Sequence, residues 1–152
     1  MKNIADENTA NEIIARIKNL KPGNNAKWGK MNAPEMVCHV SDQIKMAVGI
    51  IETEPLGNIF LMTFGKWAVL SGMPVPKGKI DTLKELKQGY GGTRPGDFEN
   101  DKTELIRLVK EFKLIYPAGK KIRHAAFGPM NFKQWANLTY THLDHHLKQF
   151  GV

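Results

Sequence analysis

Residues 131–152 constrain the chain most, because they have the pattern of a strongly amphipathic helix that carries three histidines within five positions. Asn131 and Gln134 form a capping-box pattern, which is typical of a helix start, and Gly151 stands where a helix would end. The apolar residues fall on one stripe at helical spacing, namely Ala136, Tyr140, Leu143, Leu147 and Phe150. The segment therefore predicts a helix with one face packed against the core.

His142 and His146 lie together along the border of that stripe, about 40° apart on a helix of about 100° per residue. Two imidazoles at positions i and i+4 can hold one metal ion, because their ring nitrogens converge in front of the same face. His145 points further from the stripe. A histidine cluster on a helix also occurs as one half-buried and two solvated side chains. A metal site therefore requires a third ligand from another helix.

The second helix supplies a candidate for that third ligand. Asn32 and Glu35 form another capping box, and Pro34 lies in the first turn, where its missing N–H costs nothing. Apolar residues follow at helical spacing, namely Met36, Val40, Ile44, Ala47 and Ile51. His39 is adjacent to Val40 and lies at or near the buried face. A lone histidine there is usually a core residue, but the pair on the last helix makes it a candidate ligand.

Three further helices are predicted, over residues 10–20 and 58–71 and from a cap at Asp101 and Glu104. The first is capped by Thr9 and Glu12, and the aromatic residues of the second are interpreted as core. Residues 72–96 are rich in proline and glycine, and they predict a surface connection with a short helix over residues 82–87. A flap over a pocket is the alternative. The whole pattern predicts an all-α fold, an antiparallel four-helix bundle with a long irregular crossover.

The composition limits the classes of function. The 152 residues suit a single domain, and the one cysteine, Cys38, is typical of a cytoplasmic protein and is interpreted as a small buried residue. The start of the chain shows no signal segment, and the most apolar window, residues 59–70, is too short to span a bilayer. The net charge of +7 comes from scattered lysines without a nucleic-acid motif. We therefore expect a cytoplasmic protein that binds neither a membrane nor nucleic acid.

Three segments together resemble the DinB superfamily of helical-bundle metal proteins: WGKMNAPEMVCHVSD, HAAFGPMNFKQW and THLDHHLKQFG. The resemblance covers residues 28–150. It implies one histidine ligand on the second helix and an H-x-x-x-H pair, followed closely by glutamine, on the last helix. By position these are His39, His142 and His146, with Gln149 three residues after the last ligand. The adjacent His145 departs from the pattern and leaves a pair of His142 with His145 as an alternative.

Three imidazole ligands suit a divalent transition metal, with zinc or nickel favoured, and they leave a coordination position for water or substrate. Asp42 and Gln149 are predicted to orient the ligands through hydrogen bonds, with a solvated side chain as the alternative for each. His124 either borders the open position or caps a helix end.

The resemblance implies a metal-dependent thiol transferase or a hydrolase-like enzyme, with a thiol or another small molecule as substrate. The alternative is a non-catalytic bundle that binds a metal or a small ligand. A weaker alternative is nucleic-acid association through the basic surface. The oligomeric state stays open, with a homodimer as one alternative, because bundle proteins with exposed apolar helix faces often dimerise.

Overall fold

The computed structural model describes residues 2–56, 60–71 and 91–152, and within these ranges the chain is mostly helical. The helices are α1 (Glu7–Asn19), α2 (Ala33–Ala47), α3 (Lys66–Leu70), α4 (Phe98–Ile115) and α5 (Phe132–Gln149), and the strands are β1 (Ile122–His124) and β2 (Gly128–Met130). A π-helical turn, Leu61–Gly65, leads into α3. Among the described residues, the helices are too short or too polar to cross a lipid bilayer. The short helix predicted over residues 82–87 lies outside the described residues, as does most of the predicted crossover.

The core forms where α2 and α1 each pack against α4 and α5. Twelve of the fifteen residues of α2 are buried, which places this helix at the centre. The largest fully buried side chains come from α1, α2, α4 and α5 and from the adjoining segments. They include Trp135, Phe112, Ile13, Ile17, Met36, Ile44 and Leu105. Burial of each such side chain contributes roughly 1.5–3 kcal/mol relative to exposure. The helical core is therefore established, while the antiparallel four-helix bundle stays a prediction.

The helix starts agree with the sequence at α2 and α5 and differ at α1 and α4. Both predicted capping boxes are confirmed, at Asn32 with Glu35 and at Asn131 with Gln134. At α1, however, the N-cap is Asp6, whose carboxylate accepts a hydrogen bond from the Thr9 N–H at 2.8 Å.

The start of α4 shows the same difference. Its N-cap is Asp97, which accepts from the Asn100 N–H at 2.9 Å, so Asp101 lies inside the first turn. The caps predicted at Thr9 and Asp101 are thus wrong by three and four residues. In each case an aspartate three or four residues earlier in the sequence accepts the hydrogen bonds of the free N–H groups.

The prediction of an all-α fold is wrong in one respect, because a small antiparallel hairpin precedes α5. Ile122 pairs with Met130 and His124 pairs with Gly128. The indole N–H of Trp135, in the first turn of α5, donates to the Ile122 carbonyl at 3.0 Å. The hairpin is thus joined to the first turn of α5. Its strands have three residues each, which is too short for an alternating pattern to appear in the sequence.

The aromatic residues of the segment from residue 60 to residue 71 do not belong to the core, and their interpretation as core is wrong, whereas Leu70 is partly buried and packs against the core. Phe60, Phe64 and Trp67 are 62%, 52% and 59% exposed. Their rings form a row, with centroids 5.3 Å apart for the first pair and 5.8 Å apart for the second. Helical spacing correctly placed these residues on one face, but it could not tell whether that face meets the core. The segment is held to the hairpin by Lys66, whose ammonium donates to the Pro129 carbonyl at 2.6 Å.

Candidate metal centre

Three histidines from two helices converge on one point between α2 and α5. The Nε2 atom of His142 lies 3.1 Å from Nε2 of His39 and 3.2 Å from Nε2 of His146. One ligand atom from each of the three rings lies within 4.8 Å of the other two. The structure therefore brings together the three histidines that the sequence singles out.

Local sequence and packing explain this convergence. His142 and His146 are one turn apart on α5, so their side chains project from the same face. His39 comes from α2, which packs against α5. The next turn of α2 carries Gln43, whose amide nitrogen contacts the Thr139 hydroxyl at 3.3 Å, and Thr139 lies one turn before His142. The two helices therefore run in opposite directions past each other at the site.

Burial keeps the imidazoles of His142 and His146 neutral, because it lowers the pKa of each. His39 and His146 are only 4% and 7% exposed. Burial, and then the nearby His39 ring, lowers the pKa of His146 to about 3. Burial, followed by repulsion from His146 and His39, lowers the pKa of His142 well below its ordinary value. At neutral pH the rings of His142 and His146 therefore each keep a lone pair on one nitrogen, which is the form that binds metal ions.

Gln149 determines which nitrogen of His146 carries the hydrogen. The Gln149 amide nitrogen donates to the Trp28 carbonyl at 2.5 Å, and a carbonyl can only accept. The amide oxygen therefore faces His146 and lies 2.7 Å from its Nδ1. Because that oxygen is an acceptor, Nδ1 carries the hydrogen and Nε2 keeps the lone pair. This lone pair lies on the nitrogen that faces His142.

The segment around Trp28 holds Gln149 in this orientation, a role that the sequence analysis missed. The Lys27 N–H donates to the Gln149 carbonyl at 2.8 Å. Gly29 has a φ of +81°, and a Cβ there would lie 2.7 Å from the Gln149 amide nitrogen. Only glycine accepts both the left-handed backbone and this close approach without strain. A glycine directly after a tryptophan was the available signal, but its partner is 120 residues away in the sequence.

Asp42 is fully buried, but its hydrogen bonds do not reach the histidines. Its two carboxylate oxygens accept from the backbone N–H of Thr93 at 2.8 Å and from the Thr93 hydroxyl at 2.7 Å. Among the described residues, the carboxylate therefore anchors the segment before α4 onto α2. This differs from both predicted roles, the orientation of a ligand and a solvated side chain.

His124 and His145 lie outside the cluster of three. The Nδ1 atom of His124 accepts from the N–H groups of Ala126 and Phe127 at 3.1 and 3.2 Å. Burial, and then the Lys66 ammonium, lowers the pKa of His124 to about 4. His124 thus caps the turn of the hairpin, where the sequence analysis offered a helix end.

The ring of His145 packs beside two other rings, with its centroid 5.6 Å from that of Trp28 and 5.1 Å from that of His146. The set of described residues that can share one ion comprises His39, His142 and His146. The pair of His142 with His145 is not in this set.

The donor set fits a divalent transition metal. Zinc–nitrogen bonds of about 2.0–2.1 Å at tetrahedral angles place two ligand nitrogens about 3.3 Å apart. Two of the three separations, 3.1 and 3.2 Å, are close to this value, and the third pair of ligand atoms lies within 4.8 Å. Three protein nitrogens leave one coordination position, as in catalytic zinc sites, whereas structural zinc sites use four protein ligands.

Comparison with known proteins places the chain in a family. Residues 5–151 match the model of a family described as a protein of unknown function, DUF1569. Comparison with curated proteins and comparison with solved structures give no match. Because the match spans nearly the whole sequence, this chain with its cluster of three histidines belongs to the DUF1569 family.

Proposed function

We propose that the protein binds one divalent transition metal ion, zinc or nickel, through Nε2 of His39, His142 and His146. The observation that carries this proposal is the convergence of three ring nitrogens in a buried position, with Nε2 of His142 at 3.1 Å from that of His39 and at 3.2 Å from that of His146. The hydrogen bond from His146 to Gln149 supports it, because that bond leaves the inner nitrogen free to coordinate. Imidazole nitrogens suit zinc and nickel, and carboxylates, which hard cations such as magnesium prefer, are not part of the set.

We further propose that the open coordination position is catalytic. A divalent ion there would supply Lewis acidity that activates a thiol or water. The resemblance to the DinB superfamily favours transfer of a low-molecular-weight thiol, with hydrolysis as the alternative. The residues of this chain have three tasks in such a reaction. The histidines hold the ion, Gln149 orients His146, and the apolar core around α5 limits access of bulk water.

Metal analysis of tag-free protein tests the binding proposal. We expect about one ion per chain in the wild type and loss of that ion in His39→Ala, His142→Ala and His146→Ala. His145→Ala is the matched control, because it removes a neighbouring imidazole that lies outside the cluster, and it is expected to retain the metal. Unchanged metal content in the three cluster variants rejects the site.

A screen for thiol transfer and ester hydrolysis, with and without a chelator, tests the catalytic proposal. Turnover is expected only in the metal-loaded wild type, and it should return when the metal is added back. Turnover that persists in the presence of the chelator contradicts a role for the metal.

The burial of the cluster favours a second candidate, a non-catalytic metal site, since His39 and His146 expose only 4% and 7% of their surface. This candidate predicts that the chelator lowers the thermal midpoint of unfolding, while no substrate of either class is turned over.

A further inference from the structure

Two polar atoms near the cluster are buried without a hydrogen-bond partner among the described residues: the amide oxygen of Gln43 and Nδ1 of His142. Gln43 is 4% exposed, so bulk water does not replace the missing partner of its oxygen. A buried polar group that lacks a partner costs roughly 1–3 kcal/mol. Such groups are rare, and two of them at one helix interface require an explanation.

The two groups lie on facing turns of α2 and α5. The Gln43 amide nitrogen contacts the hydroxyl of Thr139 at 3.3 Å, and this contact uses the nitrogen and leaves the oxygen available as an acceptor. Thr139 precedes His142 by three residues, so both side chains project from the same face of α5. The free acceptor of Gln43 is therefore presented to the turn of α5 that carries the free nitrogen of His142.

Metal binding would make the two groups complementary. A metal ion on Nε2 of His142 leaves the hydrogen on Nδ1, which then becomes an N–H donor and requires an acceptor. The same arrangement already exists at the other ligand of α5, where the Gln149 amide oxygen lies 2.7 Å from Nδ1 of His146. The difference between the two ligands is that His146 has its amide partner in place and His142 does not.

We infer that Gln43 is a positioning residue for His142: when the metal is bound, its amide oxygen accepts a hydrogen bond from the Nδ1–H of His142. This inference rests on the proposed metal site. The contact requires the Gln43 amide oxygen to turn toward Nδ1 of His142 while the amide nitrogen keeps its contact with the Thr139 hydroxyl. The two histidines of α5 would then each be held by one glutamine amide, from α2 for His142 and from α5 itself for His146.

The first test is the affinity for Zn²⁺, measured by competition with a chromophoric chelator. Gln43→Leu fills the same space without an acceptor, and we expect it to weaken zinc binding about 10- to 100-fold, the usual effect of removing the partner of a metal-bound histidine. Gln43→Glu keeps an acceptor oxygen and is expected to retain most of the affinity.

Ser41→Ala is the matched control for that series. Ser41 is a buried polar residue of α2, and its hydroxyl donates to the Val37 carbonyl within the same helix at 2.8 Å. Its substitution is expected to leave zinc affinity unchanged. If Gln43→Leu fails to fold, Thr139→Val replaces it, because loss of the hydroxyl frees the Gln43 amide without adding bulk. That variant is expected to weaken zinc binding by about tenfold, at the low end of the effects of such supporting contacts.

The second test reads the hydrogen on His142 directly. Long-range proton–nitrogen NMR of the zinc-loaded protein is expected to show hydrogen on Nδ1 of His142, with a slowly exchanging signal in the wild type that exchanges faster in Gln43→Leu. A merely structural role for Gln43 would not change this signal. If the wild type binds neither zinc nor nickel, the proposed function and this inference both fail. If it binds zinc and Gln43→Leu changes neither the affinity nor the signal, only this inference fails.

Discussion

The α2–α5 interface and the segment from residue 60 to residue 71 invert the usual distribution of polar and apolar side chains. The interface buries His39, Gln43, Thr139 and His146. The segment exposes Phe60, Phe64 and Trp67. Both regions have a helical pattern in the sequence, so the pattern alone does not distinguish them.

The polar side chains buried at the α2–α5 interface lower the stability that an apolar interface would have. Burying a polar group costs free energy unless it is hydrogen-bonded. At the interface several of these side chains are bonded: His146 to Gln149, and Gln43 to Thr139. Polar side chains that are buried in the centre of the core and hydrogen-bonded to one another are typical of a functional site.

Removal of the metal should produce the largest change in stability. The metal would stabilise the α2–α5 interface and not the segment from residue 60 to residue 71. A ligand present at about 1,000 times its dissociation constant stabilises the folded state by about 4 kcal/mol. For a chain of this size we expect the thermal midpoint to fall by about 10 °C when a chelator is added. Differential scanning calorimetry measures this shift. The same chelator should leave the midpoint of His142→Ala unchanged, and an equal fall in that variant would contradict the site.

The second-largest effect should be a loss of stability of the metal-free protein in acid, because burial lowers the pKa of His142 and of His146. The pKa of His146 is about 3 in the folded chain, against an unfolded value near 6.5. Between these values the unfolded state binds more protons, so this contribution to stability is complete above about pH 6.5 and is lost as the pH falls toward about 3.

Thermal midpoints of the metal-free wild type measured from pH 7 to pH 4 check this dependence. The wild type and the control His145→Gln should show a steep decline in the midpoint. His146→Gln should show a shallower decline, because it removes one of the groups that titrate. Equal declines in His146→Gln and the wild type would indicate that His146 does not control the stability of the interface.

Gly29→Ala should lower the stability by less, because it disturbs only the segment that supports Gln149. A Cβ at this position meets the Gln149 amide nitrogen at 2.7 Å, and the left-handed backbone costs a non-glycine residue roughly 1–2 kcal/mol. We expect a loss of that size in the free energy of unfolding by urea, together with weaker zinc binding. Gly23→Ala is the matched control, because a Cβ there meets no atom within 4 Å. Equal stabilities of the two variants would show that Gly29 does not hold Gln149.

These regions also show how much the sequence could predict. Local signals were sufficient for the capping boxes at Asn32 and Asn131 and for the one-turn spacing of His142 and His146. The meeting of His39 with that pair depends on the packing of α2 against α5, which the burial pattern suggested without fixing a distance.

Contacts between distant parts of the chain were not predictable. The carbonyl of Trp28 reaches Gln149, and Thr93 reaches Asp42, and neither pair has a local pattern. The exposure of Phe64 was missed for the same physical reason. An amphipathic stripe records which side chains share a face, and only the tertiary structure determines what covers that face.

Substitutions in the exposed row of Phe60, Phe64 and Trp67 should change the free energy of unfolding least. They test directly whether this row lies outside the core. Phe64→Ser changes a side chain that is half exposed, so we expect a change in unfolding free energy within about 0.5 kcal/mol. Leu143→Ala, in the buried face of α5 beside His142, should cost about 2–5 kcal/mol, since it leaves a cavity. Urea denaturation of both variants gives the two values. A loss above about 1 kcal/mol for Phe64→Ser would mean that the row is covered in the folded protein, and the inversion between the two regions would then not hold.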